Sequence, residues 1–154
     1  MGEPNATAET GTVSAALVGA ARGYVGVPWR HLGRSRTGVD CIGLVLLAAH
    51  EVGVDLPDPA PYAREPQGTR LLEGILGHAA RVSEVRAGDV LLFRMGLYGG
   101  HVGIASVHPA WGVPACLHAY APRRQVVEQP MDAELRTALI GAFRLPSLSA
   151  FPEA

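Results

Sequence analysis

The chain contains no lysine: its 13 basic residues are all arginine, set against 14 acidic ones for a formal net charge of −1 over 154 residues. The one-sided choice of arginine reads as a coding bias and not as chemistry. With no excess or cluster of positive charge, nonspecific binding to nucleic acid is not expected, because neutralising phosphates needs clustered basic side chains. No apolar run approaches the ~20 residues that span a bilayer, so membrane insertion is not expected either. The opening MGEPNATAETGTVS has acidic residues where a signal peptide carries its positive region, and its apolar stretch begins only at Val13, so export by a signal peptide is not expected. It also lacks the N-myristoylation pattern. Neither of the two cysteines, Cys41 and Cys116, sits in a C-x-x-C pair, which removes the usual signals of a zinc site or a dithiol redox centre.

What is present is a 48% hydrophobic composition punctuated by 19 glycines and 12 prolines. That is too apolar and too weakly charged for a disordered chain, with room for one domain whose core needs no staple. Residues 1–11 read as a flexible lead, 12–146 as a single domain and 147–154 as a tail, and no internal repeat is visible. Apolar spacing predicts a helix over Val13–Tyr24. An ordered loop rich in glycine and arginine is expected over Val25–Gly38. A helix buried almost all round should follow, capped by Asp40 and stopped near Gly53 and Pro57. Pro57–Gly68 reads as a proline-fixed surface loop that could serve as a lid or a docking surface, with a short amphipathic helix over Thr69–Ala80 after it. RAGDVLLF, HVGIASV, ACLHAY and QVVEQP are β-rich runs separated by turns, as in an antiparallel meander. A helical turn near Asp132–Thr137 leads to a last strand, Leu139–Leu145. Helices first and strands second make an α+β fold, with the Asp40 helix packed on an antiparallel sheet.

Cys41 follows a predicted N-cap, so its thiol sits at a helix N-terminus, where the dipole and unpaired amides favour a thiolate and a lowered pKa. Its own backbone N–H would serve an oxyanion. A thiolate nucleophile needs a base from a neighbouring element. His101 opens the strand HVGIASV after the glycine turn of Tyr98, Gly99 and Gly100. His118, on the next strand, can orient its second nitrogen, completing a Cys-His-His triad. Taken singly, each has a plainer reading: a cysteine at an apolar helix start is usually a small buried hydrophobe, and a strand histidine a hydrogen-bonded structural group.

Three blocks in order change that balance. GVPWRHLGRSRTGVDCIGL resembles the G-x-P-Y-x-W-G-G … D-C-S-G-L signature of the NlpC-type cell-wall cysteine peptidases, papain-like hydrolases of bacterial peptidoglycan peptides. RAGDVLLFRMGLYGGHVGIASV resembles their P-G-D-L-x-x-F … H-V-G-I-Y block, and CLHAY their later I-H-A block. Together they cover about Tyr24 to Leu145. The resemblance implies a papain-like α+β fold, no metal, Cys41 as nucleophile, His101 as general base, His118 as its orienting partner and Asp40 as the capping acid. It implies cleavage of an amide bond in the peptide stem of peptidoglycan, of the kind that joins γ-D-glutamate to a diamino acid. The tyrosine usual twelve positions before the nucleophile is here Trp29, whose indole donates but cannot accept, and Ile42 replaces the usual serine. R-H-L-G-R before the D-C block, L-H-A-Y-A-P … V-V-E and the closing G-A-F-R resemble the phage-tail and gene-transfer-agent branch. That branch implies carriage on a tail particle, other tail proteins as partners, and action in the periplasm or wall after synthesis in the cytoplasm.

Other readings remain open beside this one. The chain could be a structural or assembly tail-tip protein with a peptidase-like fold, or an amidase or acyl transferase acting on another γ-glutamyl-like bond. Zinc on Cys41, His101 and His118 is chemically conceivable, but no close ligand pair supports it. Trp29, His31 and Asp40 are candidates to contact substrate or the oxyanion, and His31 can instead be solvated. Arg30, Arg34 and Arg36 can bind stem carboxylates or be a solvated loop face. Asp89 reads as fixing a turn, Cys116 as core, and His50, His78 and His108 as surface.

Overall fold

The computed structural model describes residues 6–64, 70–77, 79–95 and 99–146. The predicted lead, the tail at 147–154, His78, Tyr98 and the far part of the proline-rich loop fall wholly or partly outside these residues. Helix α1 runs Ala6–Arg22, so it begins well before Val13. The first apolar residue does not mark the start, because Ala6, Ala8 and Glu9 are good helix formers by intrinsic propensity. The flexible lead is thus helical from Ala6.

Val25–Gly38 is not purely loop. Arg34–Ser35 (β1) pairs with Gly38–Val39 (β2) in a two-stranded hairpin, and bridges from Pro28 to Gln125 and from Trp29 to Val39 pin the entry of the segment. The buried helix α2 spans Cys41–Glu51. Asp40 caps it by accepting the Gly43 N–H at 2.8 Å, and Gly53, at φ 82°, takes the left-handed turn that ends it. Seven of its eleven residues are buried, among them Leu44, Val45 and Leu46. At about 1.5–3 kcal/mol for each large side chain removed from water, packing rather than helix propensity holds it.

Helix α3 covers only Arg70–Ile75, shorter than the predicted Thr69–Ala80. Glycines at 74 and 77 weaken continuation, and Ala80–Val82 instead form strand β3. Strands β4 (Val90–Met95), β5 (Gly99–Val107), β6 (Pro114–Tyr120) and β7 (Gln125–Pro130) make the expected antiparallel meander. Gly99 and Gly100 lie inside β5 paired with Met95 and Arg94, so His101 is its third residue and does not open it. Helix α4 (Ala133–Ala138), capped by Asp132, leads to β8 (Leu139–Arg144). β8 returns past the meander to pair with β4 and β3, giving the order β3-β8-β4-β5-β6-β7. One sheet face packs on α1, α2 and α3 through Leu17, Leu46, Ile75, Val102, Ile104 and Leu117. The other packs on α4 through Leu91, Phe93, Ala105, Cys116 and Leu135. This is the mixed α+β arrangement expected.

Two glycines permit the approaches that carry the site. A methyl on Gly43 would strike the carbonyl of Gly33, and one on Gly103 would strike the Cys116 sulfur and press on His118. Neither neighbour can yield, since one is backbone and the other is fully buried. Gly43→Ala is therefore expected to lower stability by about 1–3 kcal/mol through overpacking between helix and loop, read as a shift of the urea midpoint without a change in slope.

Candidate active site

Asp40, only 4% exposed, organises the nucleophile's surroundings. One carboxylate oxygen accepts from the Gly43 N–H and from Arg34 Nη1 at 3.0 Å. The other accepts from the Leu32 N–H at 2.9 Å and from the Tyr62 hydroxyl at 2.5 Å. Those four donors use the acceptor sites that a carboxylate has. The expectation that Asp40 also contacts substrate or oxyanion is thus corrected: it borders the cleft but has no free lone pair to offer. Arg34 likewise faces inward, bonded to Asp40, Asp58 and Tyr62. Arg36 lies over the Tyr24 ring and pairs with Glu51, and Arg30 covers Gly38. Arg34 and Arg36 are held by protein groups rather than forming a free carboxylate-binding face.

Cys41, the first residue of α2, keeps partial solvent access and opens on a cleft of about 390 Å³. His101, Trp29, His31, Tyr62, Arg64 and Tyr120 also line this cleft. His101 therefore reaches the cleft from the sheet while the cysteine comes from the helix layer, and His118 stays buried behind His101. Tyr62 and Arg64, from the proline-rich segment, were not singled out in the sequence: nothing in their spacing marks them, and only the folded path of that segment brings them to the wall. Arg64 stands 5.0 Å over the Trp29 ring, and His31 meets Tyr62 edge-on at 5.8 Å.

His101 Nε2 lies 2.8 Å from His118 Nδ1. His118 is fully buried, stacked on Tyr120 at 4.7 Å, and its Nε2 reaches Gln129 Oε1 at 3.1 Å. Gln129 in turn donates to Asp132 at 2.9 Å. Gln129 and Asp132 escaped the sequence reading because they are polar residues near a strand end with no motif of their own.

The expectation of a lowered thiol pKa is overturned. Burial pushes the Cys41 thiol up to about 11, and the neighbouring Asp40 charge adds to this; the backbone N–H groups of Val102, Ile42 and Cys41 pull the other way but do not prevail. Burial, with a further contribution from His118, lowers His101 to about 3. Burial also lowers His118 to about 4, against the opposing effects of the Gln129 contact and the Asp132 charge. Thiol and imidazoles rest neutral. Cys116 is buried in the core, where burial raises its thiol. His50 is exposed, whereas His108 is half-buried. Asp89 is buried, accepting from the Arg86 N–H at 2.7 Å and pairing with Arg144 at 2.9 Å. Among the described residues no group of three or more His, Cys, Asp or Glu is arranged to hold a metal ion, and no helix is long and apolar enough to cross a membrane.

The family model of NlpC/P60 matches residues 26–140. The chain is 34% identical over 82 residues to the murein DD-endopeptidase MepS/murein LD-carboxypeptidase of Escherichia coli strain K12, a match covering 53% of this chain and 38% of that relative. Among solved structures, a lipoprotein-like NLP/P60 protein from Staphylococcus aureus superposes with a TM-score of 0.63 at 23% identity, over 87% of this chain and 41% of the other. The peptidoglycan hydrolase RipB of Mycobacterium tuberculosis gives 0.63 at 19% identity, over 96% and 73%. The NlpC/p60 domain of the peptidoglycan hydrolase SagA gives 0.55 at 24%, over 84% and 97%. These superpositions show the papain-like fold, and the family match spans the loop, the Asp40–Cys41 helix start and the strands that bear both histidines. By that match the chain belongs to the NlpC/P60 family.

Proposed function

We propose that the chain is a peptidoglycan hydrolase, a cysteine endopeptidase that cleaves an amide bond in the peptide stem through a thioester on Cys41. The observation that carries this reading is the shared cleft: a cysteine at a helix N-terminus opens on the same cavity as His101, whose ring is held by His118 at 2.8 Å. The family and the names of its relatives, a murein endopeptidase and peptidoglycan hydrolases, support the substrate class. The finer reading names the bond between γ-D-glutamate and a diamino acid, and carriage to the wall on a phage-like tail. The first rests on the family resemblance; the second rests on the R-H-L-G-R, L-H-A-Y-A-P and G-A-F-R stretches.

With both partners neutral at rest, the proton leaves Cys41 as its sulfur attacks the carbonyl carbon, and His101 accepts it. The Cys41 backbone N–H, free of a helical partner at this position, is placed to donate to the oxyanion. His101 then returns the proton to the leaving amine, so the C–N bond breaks and the acyl group stays on sulfur. A water that gives its proton to His101 hydrolyses the thioester and frees the thiol. His118 keeps the base oriented and does not itself exchange protons with substrate.

Mass spectrometry of purified peptidoglycan fragments is expected to reveal new amine ends in the stem with the wild-type chain and none with Cys41→Ala. His101→Ala is expected to lose about a thousandfold or more in kcat, and His118→Ala less. Failure of the folded, reduced wild-type chain to cut any fragment would reject hydrolysis and favour an assembly role in a tail. A neutral resting pair also sets how the thiol responds to small electrophiles. Alkylation of Cys41 by iodoacetamide is expected to be slow at pH 7 and to climb steadily above pH 8.5. kcat/KM should hold level down to pH 5, below the ordinary histidine range. A fast, pH-independent alkylation between pH 5 and 8 would mean a preformed thiolate instead.

A further inference from the structure

The hydrogen-bond chain behind His101 has a direction, and chemistry fixes it from the far end. An ionised carboxylate only accepts, so Gln129 must turn its NH₂ toward Asp132, which leaves its carbonyl oxygen for His118 at 3.1 Å. A carbonyl also only accepts, so the proton of neutral His118 stands on Nε2 and Nδ1 is bare. The atom 2.8 Å from that bare nitrogen is His101 Nε2, which must therefore donate. The one proton of neutral His101 is thus spent on His118, and its Nδ1 keeps the lone pair that a base requires. Asp132 is itself held in place, because its other oxygen accepts the Leu135 N–H at 2.8 Å and caps α4. The stacked Tyr120 ring restrains His118 from turning over.

The geometry points to Gln129 and Asp132 as positioning residues that decide which nitrogen of His101 carries its proton, and so whether His101 can act as a base at all. This deepens the reading of His101 as the base, although the ring states it assigns exist whether or not the chain cleaves peptidoglycan. Neither residue needs to touch substrate. Reversing the chain's direction at Asp132 would reverse every link as far as His101 while leaving each side chain in place.

Asp132→Asn does this. Its side-chain oxygen still caps the Leu135 N–H, but it offers Gln129 an NH₂ in place of an oxygen. The Gln129 amide then turns over and donates to His118 Nε2, and both imidazoles move their proton to Nδ1. Long-range ¹H–¹⁵N correlation spectra of the labelled full chain at pH 7 are expected to show both rings as Nε2–H tautomers in the wild type and as Nδ1–H in Asp132→Asn. On a stem-peptide fragment kcat should fall about a hundredfold or more with KM little changed, the signature of a wrong tautomer in an intact site. Gln129→Glu alone should keep the wild-type tautomers, since a carboxyl group there still accepts from His118. Combined with Asp132→Asn, it accepts from both sides and should restore the tautomers and kcat, which loss of a helix cap would not allow.

Unchanged tautomers in Asp132→Asn, or a double variant with wild-type thermal unfolding that stays as impaired as Asp132→Asn, would overturn the assignment. The spectra read the rings and not turnover. A wild-type chain that cuts no stem peptide but shows the inversion would therefore reject the proposed function and uphold the positioning roles.

Discussion

Everything on the helix side of the cleft depends on one buried carboxylate. Asp40 draws donors from the loop (Leu32 and Arg34), from the first turn of the helix it caps (Gly43) and from the proline-rich segment (Tyr62). A carboxylate taken out of water is tolerable only when such partners replace its hydration. Two stretches of chain with little regular structure of their own, the loop and the proline-rich segment, are thereby drawn to the start of the helix. Cys41 is placed because it follows Asp40, and Trp29, His31 and Tyr62 form the cleft wall because their segments are tied to the same group. The cost of leaving this charge unpaired is what makes an irregular loop behave as a rigid part.

The sheet supplies the other half by a different principle. His101 and His118 sit on adjacent antiparallel strands, and their contact is diagonal across the β5–β6 pair, as the register Ile104↔Leu117 and Ala105↔Cys116 sets it. Gly103 between them keeps the strands' side chains from colliding. The nucleophile side is thus held by a charge and its donors, while the base side is held by strand register and stacking. Burial on both sides explains why thiol and imidazole rest uncharged: a helix N-terminus favours a thiolate only to the extent that its surroundings are also solvated.

Much of this was legible in the chain. The alternation of apolar residues announced the four-strand meander, and the cap at Asp40 with the all-round apolar run after it announced the central helix. D-C in the first block and the histidine of the second pointed to two residues that line one cleft, and the histidine of the third to the ring that contacts His101 from behind. What escaped the reading has a common cause. Strand β3 has three residues and exists only because β8 returns beside β4. The β1–β2 hairpin is two residues long on each side. Such short pairings are decided by neighbours far along the chain and not by local preference. The same holds for Tyr62, Arg64, Gln129 and Asp132, whose parts depend on tertiary proximity alone. The sign of the Cys41 shift does not follow from the sequence because the dipole is visible there, whereas the protein atoms that crowd around the sulfur are not.

The convergence of donors on Asp40 also bears on how such a site can be moved. Consider a transplant of the nucleophile into another scaffold by the helix start alone, from Asp40 to Leu44. The graft would arrive with an acid whose ligands were left behind, and the new host would have to supply an arginine, a hydroxyl and a loop amide at matching positions. The smallest portable unit is instead the stretch from Leu32 to Tyr62, which carries the acid and all four of its donors together. In this protein the transferable module is defined by the reach of a single carboxylate and not by the boundaries of any helix or strand.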